Sequence, residues 1–396
     1  MGVAESLRAL TLKVGLNLTY LVEDSGGSGT YARQLLPSLL AAEPGIELTA
    51  WVGTTAPAWL AEEPWAGEVR WIRLPVPGLG TPWHLWYELV GIGLDAGRRR
   101  LDVVHGPAYL APLIHPLVAT VATILDVIWL QHPEATDARF RAVMRTLVPL
   151  VGRRSTRLIA ISEAAREDVC STLGLDRAKF DVTHLGILPG PASAEADPDE
   201  LRARLGLGDR PLILCVAAKR PHKNLDGLIR ALPLLPADSP GGAARLVLPG
   251  SPNDYERELR ELAADLGVSD RVVFPGWLSD ADLDGLYLAA SCFVLPTFQE
   301  GFGLPVLEAM AHGLPVACSN IPALTEVAGG AAAFFDPRRP ESIAATVGAL
   351  LDDRELATRL VEAGHARCAE FSWQRTARET LDCYRRAVEG RAWTST

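Results

Sequence analysis

With 396 residues and 48% hydrophobic content, the chain can fill two domains of ordinary size, and no block has the polar bias of disorder. Its 38 basic and 48 acidic side chains leave a formal net charge of −10, which argues against nucleic acid as the main partner. No uninterrupted run of about 18 apolar residues occurs, so no transmembrane helix is expected, and the N-terminus lacks the features of a secretion signal. The six cysteines form no C-x-x-C pair, and Cys215, Cys292 and Cys318 fall in predicted buried strands, which fits a reducing cytoplasm.

In chain order, residues 12–18 read as a strand. A Gly-rich turn follows, Gly26-Gly27-Ser28-Gly29-Thr30-Tyr31, leading to a helix over 32–40. Such a turn lets backbone approach a ligand closely, although many are merely tight. Residues 46–52 and 69–74 are the next strands. Six tryptophans crowd this region: Trp51, Trp59, Trp65, Trp71, Trp83 and Trp86. Trp59, Trp65 and Trp83 lie in Pro-rich loops, where they either pack or offer a stacking platform. Arg98-Arg99-Arg100 closes a predicted helix, where cations suit the dipole; a patch meeting phospholipid is the competing reading. Residues 101–105 form a strand whose last residue, His105, either lines a cleft or packs. The strand over 117–125 ends at Asp126, the best polar candidate of this half. A helix over 137–151 and a strand over 157–161 follow. Ser162 then caps the helix over 163–173 or adds to a site, and residues 181–184 close the half as a strand.

Residues 189–198 have a linker composition. Asp197-Pro198-Asp199 and Asp280-Ala281-Asp282 imitate a D-x-D metal motif, but both precede helices and neither ends a strand, so capping accounts for them and no catalytic metal is expected. A second strand–helix alternation starts over 211–217. Its first turn, Lys219-Arg220-Pro221-His222-Lys223-Asn224, precedes a helix over 225–232. Cations at a helix start oppose the dipole, so they call for an anion: Arg offers phosphate a planar fork and Lys a point charge. Strands over 245–248 and 272–274 follow, the second leading to Gly276-Trp277.

The densest stretch runs from residue 292 to 320. A strand over 292–295, a Gly-bearing turn over 299–303 and a helix over 306–312, stopped at Gly313, lead to a strand over 315–318. Pro305 suits the first turn of that helix. The βαβ order places the turn at the carboxyl edge of a parallel sheet, where such sheets bind ligands. Glu300 and Glu308 stand there with seven residues between them. A carboxylate accepts from both hydroxyls of a diol, and a helix N-terminus attracts phosphate. A nucleotide sugar needs both. The plainer reading is an acidic helix start satisfying the dipole.

The wording of these strings resembles glycosyltransferase family 4, retaining enzymes of the GT-B fold. Glu300 and Glu308 match its E-x7-E signature within G-F-G-L-P-x-x-E-A-M-A. Arg220 to Asn224 match R-P-H-K-N, and Gly27, Gly29 and Tyr31 match G-x-G-x-Y. The resemblance implies an α/β protein of two doubly wound parallel-sheet, Rossmann-like domains facing a cleft. Residues 1–188 would bind acceptor, with the last helix, 373–390, packing back on them, and 189–372 would bind donor. Arg220, Lys223, Glu300 and Asp126 are then the expected catalytic groups. The donor would touch Gly27, Gly29, Arg220, Lys223, Gly276, Trp277, Glu300, Gly301, Phe302, Gly303, Leu304 and Glu308, with Glu308 on the ribose. Tyr31, His105, Asp126 and Ser162 would face the acceptor.

Two departures stand out: Leu125 replaces the family's His before Asp126, and Ala217 replaces a Gly. The implied reaction moves a hexosyl group, with retention, from a GDP-, UDP- or dTDP-sugar to a hydroxyl of a saccharide, a lipid-linked saccharide or a small natural product. It needs no cofactor and no metal, in the cytoplasm or at the inner face of a membrane. The alternatives are a sugar-nucleotide epimerase of the same fold and a catalytically silent nucleotide-sugar-binding protein.

Overall fold

The computed structural model describes residues 11–23, 26–76, 80–188, 197–236 and 240–393. Contacts divide the chain into two units. The first comprises residues up to Leu130, Ala138–Gly186 and the chain from Trp373 onward; the second comprises Gln131–Asp137 and Ile187–Ser372.

The first unit holds a seven-stranded sheet in the order β3-β2-β1-β4-β5-β6-β7. The strands are β1 (Lys13–Asn17), β2 (Glu47–Val52), β3 (Val69–Arg73), β4 (Val103–Gly106), β5 (Ala119–Thr123), β6 (Arg157–Ala160) and β7 (Phe180–Val182). The second holds a six-stranded sheet in the order β10-β9-β8-β11-β12-β13. These are β8 (Leu212–Leu214), β9 (Arg245–Val247), β10 (Val272–Val273), β11 (Cys292–Leu295), β12 (Val316–Ser319) and β13 (Ala333–Phe335). Every described pairing is parallel. Helices cover both faces of such sheets, so their strands read as continuous apolar runs; all four residues of β11, Cys-Phe-Val-Leu, are buried. In both sheets the order reverses beside the first strand, between β1 and β4 and between β8 and β11. A crevice opens outside the carboxyl ends at such a point.

Several expectations shift. The glycines at 26–29 do not form a separate turn: the helix runs Gly26–Ala42, starting from a left-handed Gly26 (φ +53°). Of the linker, residues 189–196 lie outside the described residues. Asp197 caps the helix Pro198–Arg204 by accepting from the Asp199 and Glu200 amides. Trp51 is wholly buried, Trp65 nearly so, and Trp83 and Trp86 stand exposed. None of the three tryptophans placed in loops is in one: Trp59 and Trp83 lie in short helices and Trp65 in a 3-10 turn.

The expectation that His105 lines a cleft is corrected. It is fully buried, 2.7 Å from the Tyr384 hydroxyl and 2.8 Å from Thr123 Oγ1. Tyr384 comes from the last helix, Trp373–Trp393, which packs on this unit. Burial pushes the His105 imidazole down to about 3, so it stays neutral. Tyr31 is likewise sealed, stacked on Trp373 at 6.3 Å.

A second buried polar group sits after β1. Glu88 accepts from Asn17 Nδ2 at 3.2 Å and Thr19 Oγ1 at 3.3 Å, and its other oxygen lies 3.5 Å from His84 Nδ1. Burial pushes its carboxyl up to about 7, the Asn17 and Thr19 hydrogen bonds pulling the other way. The folded chain therefore keeps this proton up to about pH 7, whereas the unfolded chain loses it near 4.5. That contribution is fully present below 4.5 and is lost as pH rises through 7. Buried His84, whose imidazole burial pushes down, acts in the opposite sense, so the variant Glu88→Gln isolates the carboxyl. Melting curves between pH 5 and 8 should show stability falling more steeply with pH in the parent than in Glu88→Gln; parallel curves would remove Glu88 as the cause.

Candidate functional site

The second unit's switch point brings together two loops far apart in sequence. One follows β8 and carries Arg220-Pro221-His222-Lys223-Asn224. The other follows β11 and carries Thr297 to Gly303. Since β8 and β11 are neighbours, their carboxyl ends deliver both loops to one place. Lys223 Nζ lies 2.6 Å from Glu300 Oε1, and both side chains are largely buried. Three further bonds tie the loops. Phe298 N donates to the His222 carbonyl at 2.9 Å, Thr297 Oγ1 donates to the same carbonyl at 3.1 Å, and Asn224 Nδ2 donates to the Pro296 carbonyl at 2.9 Å. Asn224 Nδ2 also donates to the Pro337 carbonyl at 2.8 Å. Asn224 is left-handed (φ +55°), which Asn tolerates better than most residues, and it opens the helix Leu225–Ala231.

Glu300 is followed by buried Gly301, Phe302 and Gly303. Gly303 has φ +113°, and a Cβ there would lie 2.5 Å from Leu324 Cδ2, so backbone and packing both demand glycine. It opens the helix Leu304–Ala311, with Pro305 in the first turn. Glu308 is half-buried on that helix and accepts from Tyr287 Oη at 3.0 Å. Burial pushes its carboxyl up, while the Tyr287 hydrogen bond and nearby His312 pull it down. Arg220 is exposed. His222 is buried, and burial together with Lys223, His132 and Arg220 pushes its imidazole down to about 3. Gly276 is left-handed (φ +82°); its carbonyl accepts from Gly250 N at 2.8 Å, and Trp277 beside it is exposed. Lys219 lies apart from this group: it is buried and paired with Glu256 at 3.1 Å.

In the first unit, Gly27 and Gly29 belong to the start of the helix Gly26–Ala42. Ser162 is buried and accepts from Ala165 N at 2.8 Å, the expected N-cap. Asp126 is half-buried just after β5; its Oδ1 accepts from Ile128 N at 3.0 Å, and it is hydrogen-bonded to Tyr109. His132 belongs to the segment counted with the second unit, with its ring 5.6 Å from that of His222. The structure thus gathers Arg220, Lys223, Glu300, Gly301 to Leu304 and Glu308 around one switch point, and it seals Tyr31 and His105 into a core. Asn224, Thr297, Tyr287 and His312 were missed. Only Asn224 had a readable signal, as a residue tolerant of left-handed backbone between a cationic turn and a helix. Among the described residues no group of three or more His, Cys, Asp or Glu side chains is gathered to hold a metal.

Two Rossmann-like units of this strand order are the architecture of the GT-B glycosyltransferases. Solved structures agree on the fold. The sucrose-phosphate synthase of Thermosynechococcus elongatus superposes with a TM-score of 0.73 at 20% identity, over 97% of this chain and 100% of that one. The Anabaena protein HepE, solved with UDP and glucose, gives 0.71 at 17% identity, over 94% and 98%. Residues 25–189 match the family model Glycosyltransferase Family 4, and residues 197–367 match Glycosyl transferases group 1. An "O-antigen chain mannosyltransferase B" of Escherichia coli is 32% identical over 292 residues, 72% of this chain and 74% of its own. An "MMP alpha-(1->4)-mannosyltransferase" of Mycolicibacterium hassiacum is 30% identical over 336 residues, 78% and 76%. The chain belongs to glycosyltransferase family 4 and is a glycosyltransferase.

The loop-to-loop tie through Asn224 depends on a neighbouring glycine. A Cβ on Gly227 would sit 2.3 Å from Asn224 Oδ1, and that amide is held by two bonds. In an exposed helix Gly→Ala gains about 1 kcal/mol. Here Gly227→Ala should instead destabilise by about 1–3 kcal/mol, through overpacking and displacement of Asn224. Chemical denaturation reads the sign, and a stabilised variant would refute the account.

Proposed function

We propose that the chain transfers a hexosyl group, with retention, from a nucleotide-diphosphate sugar to an acceptor hydroxyl, with the donor held by the second unit. The observation that carries this is the pairing of Lys223 with Glu300 beside the glycine-initiated helix bearing Glu308. The switch point holds Lys223 with Glu300, and the helix after Gly303 carries Glu308, groups suited to a diphosphate and a ribose diol. In this assignment Arg220 and Lys223 neutralise the diphosphate. The segment Gly301 to Leu304 lies against sugar and phosphate, and Glu300 faces the transferred sugar. Glu308 accepts from the ribose, and Gly276-Trp277 borders the base. The names of the two relatives support a mannosyl group. Asp126 is the carboxylate that the first unit offers the acceptor.

The step proposed is front-face substitution. The acceptor oxygen bonds to the anomeric carbon as the bond from that carbon to the phosphate oxygen breaks, and the departing phosphate takes the hydroxyl proton. No metal or cofactor is assigned a part. The protein's contribution is electrostatic stabilisation of charge developing on the diphosphate, each donor being worth about 3–4 kcal/mol in comparable sites. Exposed Trp83 and Trp86, together with Arg98 and Arg100 at the end of the same helical stretch, support contact with an anionic membrane.

A thermal-shift panel with UDP, GDP, dTDP and ADP should show stabilisation by one base, absent in Glu308→Ala; no shift with any of them would overturn the donor assignment. Turnover of Arg220→Ala should fall roughly 100-fold. A loss under about threefold would remove Arg220 from the mechanism, and donor conversion without any acceptor would point to an epimerase instead.

A further inference from the structure

Three side chains gathered around Glu308, those of Tyr287, His312 and Asp284, have no part in the donor assignment. Two helices of the second unit, Asp280–Ala289 and Leu304–Ala311, face each other through two residue pairs. Asp284 and Tyr287 are three apart on the first, and Glu308 and His312 are four apart on the second and its C-cap, so each pair shares one helix face. Tyr287 Oη lies 3.0 Å from Glu308 Oε2. A phenol facing a carboxylate donates, so this bond occupies one Glu308 oxygen and leaves the other as an acceptor. Tyr287 is itself immobilised: it is buried, its ring stacks on His312 at 4.6 Å and 20°, and it meets Phe293 at 6.0 Å. His312 is held at both ring nitrogens, Nδ1 2.7 Å from the Glu308 carbonyl and Nε2 2.9 Å from Asp284 Oδ1. Asp284 thus holds His312, His312 stacks on Tyr287, and the Tyr287 hydroxyl holds one oxygen of the Glu308 carboxylate.

We infer that Tyr287, backed by His312 and Asp284, is the positioning residue that aims Glu308 at the donor ribose and thereby sets the preference for a ribonucleotide over a 2′-deoxyribonucleotide. This rests on Glu308 being the ribose acceptor. Glu308 is half-buried, with its carboxyl pushed up by burial, and Asp284 and Asp280 push the same way. Tyr287 and His312 oppose them. Lys223 and Glu300 act on the buried thiol of Cys215, which in turn acts on Tyr287. Removing the Tyr287 hydroxyl leaves the carboxylate free to rotate and easier to protonate. A protonated or turned carboxyl accepts fewer hydroxyl donors, and the ribose 2′-hydroxyl loses its partner first.

The test is calorimetric binding of UDP against 2′-deoxy-UDP, and GDP against 2′-deoxy-GDP, to the full chain, Tyr287→Phe and Glu308→Ala, at pH 6 and pH 8. The parent should prefer the bound ribonucleotide by roughly tenfold, the value of one good hydrogen bond, and Glu308→Ala should lose the preference. Tyr287→Phe should keep less than about threefold, the preference at pH 8 being no smaller than at pH 6. In turnover, its donor KM should rise with kcat nearly unchanged. A parent without preference, or Glu308→Ala retaining it, would overturn the ribose assignment and the inference together. Preference lost in Glu308→Ala but intact at both pH values in Tyr287→Phe would overturn the inference alone. If Tyr287→Phe melts well below the parent, His312→Asn takes its place: a weaker shift in the same direction supports the brace, and an unchanged ratio refutes it.

Discussion

Lys223 and Glu300 are 77 positions apart in the chain, yet they meet at 2.6 Å with little exposure. Such a pair is costly to assemble and costlier to break, since removing one partner strands the other charge. The pair is made only because β8 and β11 are adjacent where the sheet order reverses. The surrounding bonds serve the same closure. Thr297 and Phe298 grip the His222 carbonyl, and Asn224 grips Pro296 and Pro337. Gly227 makes room for Asn224, and Gly303 makes room for Leu324. An incoming diphosphate would compete with Glu300 for Lys223. The ion pair thus holds the cation in place without satisfying it as a dianion would, a ground state from which phosphate charge is a gain.

The first unit is built on the same topology to a different end. Its switch point lies between β1 and β4, and the residues there are sealed. Asn17 and Thr19 turn inward to Glu88, and His105 bonds to Thr123 and to Tyr384 of the last helix. Tyr384 is 279 positions from His105, so the first sheet's core is completed only by the last helix.

Much of this was legible in the sequence, for physical reasons. Strands buried on both faces announce themselves as apolar runs, and β11 fell where its four residues placed it. Glycine and proline marked the turn before the Glu308 helix because few other residues fit a φ of +113° or a first helical turn. Cations before a helix marked the turn after β8 because they oppose its dipole. What stayed hidden were features set by a distant partner. His105 lies one residue short of its strand's carboxyl end, close to where an edge ligand would stand, and nothing near it in sequence reveals Tyr384. Tyr287 reads as one apolar residue of a helix until Glu308 is brought against it. The glycines at 26–29 carried a turn signal, but Gly26 absorbed the left-handed φ alone and the helix began at once.

The departure at Leu125 can be weighed against this geometry. His105 is not its replacement, for it is enclosed, neutral and engaged at both nitrogens. Tyr31 and Ser162 are occupied with packing and capping. Of the polar candidates in the first unit, Asp126 alone is not sealed, and it already serves the helix start at Ile128 and Tyr109. Among the described candidates of this unit, a mechanism that needed a protein base would draw on Asp126. One in which the leaving phosphate takes the acceptor's proton needs no such base. Its electrostatic demand falls on Arg220, Lys223 and the Gly303 helix start, where the chain's wording resembles the family's almost intact.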